Sequence, residues 1–435
     1  MVLHTLPNGV RLLALPMPHV QSASVGVFLR VGSRDETPVT NGISHVLEHM
    51  AFKGTTTRSV QAINLDAERL GADVNAFTGK DTTGYFMTGL GRHAEQLTRM
   101  TADIVLNSTF PDVELQRELD VIRQEAIEYE EDPQDCSSEL LDRAIWGDDP
   151  MGMPVIGTVA NIEGFTRQDL VRHVQSHYVA GKTVVVAAGN VDVDAWLALA
   201  GELFAAMPAS ADLPASRAPS PTPATYVGQP LARRFTQVSQ VFLNIAFPLA
   251  PARPDEMSQQ RWRLAATLAA NLFGGGMSAP LVDTVREQLG LAYTAHSTMD
   301  SGDVWASFVV HAVTTPDKLE ALVTATGDLL RAQAAGIDPV HLERAKNQLT
   351  VSRVRSAERT YATMEQAVEE VFASGTVTPM AEAIAMIEDI GAEEVRAVFE
   401  RMLASPPSLA VTGKGVSARS ARQLVERLSA GGGSL

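Results

Sequence analysis

The spacing of apolar and polar positions divides the chain into short strands and amphipathic helices. Val10 to Met17 and Ser22 to Val31 are dense in Val and Leu after a Pro-Asn-Gly turn, and they predict two strands. Gly42 to Gly54 places Val46, Leu47 and Met50 on one side and predicts a short helix, capped by Thr40 or Asn41 and ended by Gly54. Ser59 to Leu70 predicts a helix that stops at Gly71. Asp73–Thr78 and Thr83–Thr88 predict paired strands turning at Gly79-Lys80-Asp81, and a helix follows from Ala94 to Val105. Pro111 opens a long helix to about Glu131, where Pro133 is expected to stop it. Leu115, Leu119, Ile122, Ala126 and Tyr129 give it a core stripe. Asp132 to Asp135 and Asp148-Asp149 read as turns. A helix from Arg167 to His177 leads to a strand, Thr183–Ala188, with the look of a buried one.

The second half repeats this order. Ser239–Phe247 stands where Ser24–Val31 does, and Thr267–Gly276 takes the place of the Gly42–Gly54 helix. Pro339 to about Arg355 matches the helix that starts at Pro111. Ala392–Met402 and Leu409–Thr412 match the Arg167 helix and its strand. A period of about half the chain means a duplicated domain rather than a solenoid. Between the halves, Pro208 to Ala224 carries five prolines with Ala and Ser, the composition of an extended linker. The expected organisation is residues 1–207, a linker at 208–224, and residues 225–435. The fold class is α+β, with two homologous domains, each a mostly antiparallel mixed sheet packed with helices.

Composition narrows the classes of function. The 435 residues suggest two or three domains with ample length for real cores, and 45% hydrophobic with 20% charged residues describes a soluble globular protein. A formal charge of −16 argues against nucleic acid as partner; it reads first as a solvated acidic surface, and suits basic substrates if the acid faces a cleft. Neither a secretory signal nor a membrane-spanning run is visible. Cys136 is the only cysteine, so a cytoplasmic address is expected and any metal must sit on His and carboxylates.

The chemistry concentrates in His45-Val-Leu-Glu48-His49. His45 and His49 are four apart, so they stack one turn apart on one face and can grip one zinc ion. Glu48 lies beside them, within reach of a water on that metal. This H-x-x-E-H order is a metallopeptidase motif. A third ligand would come naturally from the long helix. Glu118 and Glu125, two turns apart, share a side of it, and Glu114, Glu128, Glu130 and Glu131 also lie on it; periodicity does not choose among them. His173 and His177 repeat the spacing without a placed carboxylate, and read as a solvated helix face. The duplication supplies a test. Aligning Phe52-Lys53-Gly54 on Phe273-Gly274-Gly275 puts His45, Glu48 and His49 on Ala266, Ala269 and Ala270. Aligning Leu115 on Leu342 puts Glu118 and Glu125 on Ala345 and Ser352. One half holds the candidate metal site and the other lacks every part of it.

With these residues the sequence resembles the pitrilysin family of zinc metallopeptidases. It is most similar to the branch of half-length chains that includes the catalytic subunit of the mitochondrial processing peptidase and its bacterial relatives. The phrase His45-Val-Leu-Glu-His-Met-Ala-Phe-Lys-Gly-Thr55 carries the resemblance, which extends over nearly the whole chain. It implies one Zn2+ per chain on His45, His49 and a glutamate about 76 residues further on, here Glu125, with Glu118 in support. It implies Glu48 as general base toward a water on the metal. It further implies that Arg286 and Tyr293, in Gly274–Tyr293 of the second half, hold the substrate, and that Asn75, Ala76 and Phe77 accept it as an added strand.

The expected function is zinc endopeptidase action on unfolded, presequence-like or basic peptides inside a chamber. The family's half-length chains pair, so a dimer is expected, as a homodimer or a heterodimer. No Gly-rich loop like that of the processing peptidase's partner subunit is present, which fits a self-sufficient enzyme. The alternatives are a non-catalytic assembly subunit of the same fold, and a dedicated peptidase for one precursor peptide.

Overall fold

A computed structural model describes residues 1–209, 225–249, 257–302 and 305–430. From residue 210 onward the expected linker lies outside the described residues. The strands are β1 (Val2–Thr5), β2 (Arg11–Pro16), β3 (Ser22–Leu29), β4 (Asp73–Thr78), β5 (Thr83–Leu90), β6 (Thr183–Gly189), β7 (Pro230–Arg234), β8 (Val241–Pro248), β9 (Thr294–Ser301), β10 (Ala306–Thr314) and β11 (Ser408–Gly413). The helices that position the candidate site are α1 (Ile43–Met50), α2 (Val60–Leu70), α3 (Ala94–Leu106), α4 (Asp112–Glu131) and α5 (Pro133–Trp146).

The strands form two mixed sheets, ordered β1-β2-β6-β3-β5-β4 and β7-β11-β8-β10-β9. Without β1 the two orders correspond strand for strand. The senses correspond too: β2–β6 and β7–β11 are parallel, and the other corresponding pairs are antiparallel. The duplication read in the sequence is therefore a duplication of topology.

Two compact units contain these sheets. The first is Met1–Ile127, Pro154–Pro221 and Val354–Thr378; the second is Glu128–Met153, Thr222–Arg353 and Pro379–Leu435. Each unit thus includes a helix from the other half of the chain, which a division at residues 207 and 225 does not describe. The reason lies in the central strands. Every residue of β6 and of β11 is buried, so each sheet needs cover on both faces. In the first unit one face packs on α3 through Val25, Val27, Leu97 and Ile104. The other face, with Leu13, Phe28, Val184 and Val186, is covered by Met364, Ala367, Val368 and Val371 of the helix Thr360–Ser374. In the second unit Leu141, Ile145 and Trp146 of α5 cover Ala246, Val309 and Ala410.

Helix α5 corrects the reading of Asp132 to Asp135 as a turn. Pro133 does end α4, but it is also the first residue of α5. The Asp132 carboxylate accepts from the backbone N–H groups of Gln134 (2.7 Å) and Asp135 (3.0 Å) and caps the new helix. On α4, Leu115, Leu119, Ile122 and Ala126 are buried as the stripe predicts, whereas Tyr129, one turn further on, is 39% exposed.

Candidate metal centre

Helix α1 has only eight residues, and its apolar side, Ile43, Val46, Leu47 and Met50, is buried against Leu115, Leu119 and Ile122 of α4. Its start is not held by Thr40 or Asn41, as the sequence suggested. Gly42 is the N-cap, with φ of +99°, and it has no side chain to cap with. The cap is the buried carboxylate of Glu36, which accepts from Gly42 N (2.7 Å), Ser44 N (2.9 Å) and Asn41 Nδ2 (3.1 Å). A negative group at a helix start satisfies orphan N–H groups and opposes the helix dipole. Burial pushes the Glu36 carboxyl up to about 7, against the pull of those hydrogen bonds.

One turn apart on the other side of α1, the rings of His45 and His49 lie 4.8 Å from centroid to centroid. Glu125 of α4 reaches both. Its Oε2 is 4.0 Å from His45 Nε2 and 3.7 Å from His49 Nε2. One donor atom from each of His45, His49 and Glu125 lies within 4.8 Å of the other two; no other such group of His, Cys, Asp or Glu occurs among the described residues. Glu118, seven residues before Glu125, meets the far nitrogen of His49, with Oε2 at 3.2 Å from Nδ1. A hydrogen bond from Nδ1 to Glu118 leaves Nε2, the nitrogen 3.7 Å from Glu125, as the ring atom available to a metal. Lys53 completes this arrangement, with Nζ 2.7 Å from Glu118 Oε1.

The donor set fits a zinc ion. Burial, helped by His49, lowers His45 from the usual imidazole range to about 4, so it is neutral and able to donate at neutral pH. Two imidazoles and one carboxylate are the ligand chemistry of open zinc sites. Nδ1 of His45 is buried and meets no hydrogen-bond partner among the described residues.

Glu48 stands beside the three donors. Burial raises its carboxyl, while a hydrogen bond from Thr78 Oγ1 to Oε2 (2.6 Å) and the nearby His49 pull it back. Glu48, His49, Lys53 and Glu118 line a pocket of about 460 Å³ whose apolar wall includes Phe52, Ile63 and Val74. Asn75 and Ala76 border the same pocket from β4, the outermost strand of its sheet. Phe77 is turned to the other face and packs on Phe28 and Phe86, with ring centroids 6.1 and 6.5 Å away.

Arg286 and Tyr293 lie in the second unit. Arg286 sits in a π-helical turn, Asp283–Gln288, with Nε 3.4 Å from Glu287. Tyr293 is 78% exposed, and its backbone N–H donates to Val313. His173 and His177 are not a solvated face. His173 is buried, its ring lies 4.4 Å from that of His177, and burial lowers it to about 3. The site residues that sequence reasoning missed are Glu36, Lys53 and Thr78. A helix start with no capping side chain was the available signal for Glu36; a cation one turn past His49 was the signal for Lys53.

Comparison with known proteins agrees with the fold. Residues 12–159 match the insulinase family (peptidase family M16), and residues 164–349 match the peptidase M16 inactive domain. An uncharacterized zinc protease of Mycobacterium bovis is 33% identical over 96% of this chain and 94% of its own. The uncharacterized zinc protease YmxG of Bacillus subtilis is 30% identical over 94% of this chain and 97% of its own. A peptidase M16 inactive domain structure from Pseudomonas fluorescens superposes with a TM-score of 0.85 at 20% identity, covering 96% of this chain and 98% of that one. A protease structure from Helicobacter pylori gives 0.84 at 18% identity, covering 95% and 99%. With relatives aligned along nearly its whole length, this chain belongs to the insulinase family of peptidases, family M16.

Proposed function

We propose that the protein is a zinc-dependent endopeptidase that hydrolyses unfolded peptides. The observation that carries this reading is the convergence of His45, His49 and Glu125, with Glu48 beside them on a pocket bordered by an edge strand. The relatives named as zinc proteases support it.

In this reading His45, His49 and Glu125 hold the ion, and Glu118 fixes the ring of His49. Zinc held there supplies Lewis acidity, which polarises the scissile carbonyl and makes water acidic enough to deprotonate near neutral pH. Glu48 takes the proton of the attacking water and delivers it to the leaving amine. Its burial favours this, because a carboxylate with a raised pKa both accepts and returns a proton readily. The outer edge of β4 offers backbone groups on which an extended peptide adds as a further strand, with Asn75, Ala76 and Phe77 in contact. Arg286 and Tyr293 are kept as substrate-contacting residues of the second unit. The chain's formal charge of −16 favours basic peptides, and a pair of identical chains is the expected assembly.

The test compares wild type with Glu48→Gln on an unstructured basic peptide of about 20–30 residues, long enough to bind extended. Bound zinc is measured on both proteins. Turnover should fall by about 10³-fold or more while each chain keeps its zinc. A wild-type protein that holds no zinc, or a variant as active as wild type, overturns the reading.

A further inference from the structure

The β4–β5 turn and the start of α1 are held by one short piece of chain, Gly32–Glu36. Ser33 N donates to Gly79 O (3.1 Å), Arg34 N donates to Lys80 O (3.0 Å), and the Arg34 guanidinium pairs with Asp81 at 2.7 Å. The approach is close enough to require glycine at 32: a Cβ there would lie 2.4 Å from the carbonyl oxygens of Gly79 and Lys80. Two residues after Arg34, Glu36 accepts from the first N–H groups of α1. The last residue of β4, Thr78, is therefore fixed relative to the helix that carries Glu48.

From that fixed place Thr78 Oγ1 lies 2.6 Å from Glu48 Oε2 and 3.4 Å from the carbonyl of Ser44. A hydroxyl has one hydrogen, and the short approach to a carboxylate takes it. We infer that Thr78 is a positioning residue for Glu48: its hydroxyl holds one carboxylate oxygen and leaves the other free to take the proton. This rests on the proposed peptidase reading and goes beyond it. It ties the strand that would receive the substrate to the group that would attack it, through a single side-chain hydrogen bond. The register of a peptide along β4 is then set from the same point as the reach of the base.

The experiment uses the full chain with Thr78→Val, which keeps the shape and removes the hydroxyl, and Thr78→Ser, which restores it. In metal-free protein, denaturant unfolding is measured for Thr78→Val with Glu48 present and with Glu48→Ala. The valine should lower the folding constant by about 10-fold beside Glu48 and leave it nearly unchanged beside alanine. In zinc-loaded protein, Thr78→Val should lower kcat by about 10–100-fold, with KM within about 2-fold and zinc content unchanged. Thr78→Ser should return kcat to within about 3-fold of wild type. Additive effects in the unfolding cycle overturn the inference, as does a serine variant as slow as the valine one or a defect confined to KM. A wild-type protein without peptidase activity refutes the proposed function instead, and the unfolding cycle then decides alone whether Thr78 holds Glu48.

Discussion

Helix α1 of the first unit and the helix Gln259–Gly274 of the second occupy matching places in the duplicated chain order, yet carry opposite chemistry. In α1 the positions at 45, 48 and 49 are His, Glu and His beside a pocket. Their aligned partners, Ala266, Ala269 and Ala270, are buried in the apolar core of the second unit. On the following long helices, buried Glu118 aligns with buried Ala345, and Glu125 aligns with exposed Ser352. The second helix also starts in the ordinary way, with Ser258 Oγ accepting from Arg261 N (3.2 Å). The first needs a distant carboxylate because its cap is glycine. The fold asks only that each helix bury an apolar side. Where the other side is released from packing, short polar residues can be placed for chemistry; where it is packed, alanine fills it.

The strongest way to break this comparison is to write the first helix's carboxylate into the second. Ala269→Glu puts a carboxylate where nothing is exposed to water, and should cost about 3 kcal/mol or more of stability, read by denaturant unfolding. Full tolerance of the change would show that this face is not core. A smaller effect sharpens the other side of the comparison. Glu118→Ala frees the His49 ring and leaves Lys53 without its carboxylate. It should lower zinc affinity by about 10–100-fold, read by competition with a chelator. No change would show that Glu118 gives the zinc site no support.

The smallest effect concerns what the two units share. His173 in the first unit is lowered to about 3, and His311 in the second to about 4, both chiefly by burial. For each, the unfolded chain takes up its proton at about 6.5, before the folded one does. The contribution of each histidine to stability is therefore complete above about 6.5 and falls as pH drops toward the folded values. The slope is at most about 1.4 kcal/mol per pH unit for one such histidine. Unfolding of the metal-free protein at pH 7 and pH 5 checks this, and His173→Asn should flatten the slope. An unchanged slope would show that His173 does not stay neutral in the fold.

Much of the candidate site was legible because it is local. The four-residue spacing of His45 and His49 fixes a shared helix face whatever surrounds it. Glu125 was less legible: helical periodicity left it equal to its neighbours on α4, and the resemblance to a family was needed to choose it. The structure brings Glu125 to both imidazoles and Glu118 to the reverse of one. Glu36 and Lys53 left only faint local signals, and Thr78 left none, because its partner Glu48 is thirty residues away and is brought near only by the tertiary fold. The same holds for the fold. Strand periods gave β2 to β6 closely, but Pro133 was read only as a stop, although one proline can end a helix and begin the next. The cover of each sheet by a helix from the other half has no local signal at all.

That exchange sets an order of events during synthesis. When β6 has left the ribosome, the first sheet has all its strands, yet the helix that covers Leu13, Phe28 and Val186 begins only at Thr360. At about 5–20 residues per second, that apolar face waits on the order of ten seconds or longer for its cover. The nascent chain must pass through a stage that is paired in backbone but open on one greasy side. The second sheet faces no such wait, because α5 is made before any of its strands. The half with the candidate metal ligands is thus started first and closed late, and the half without them has its cover in hand from the beginning.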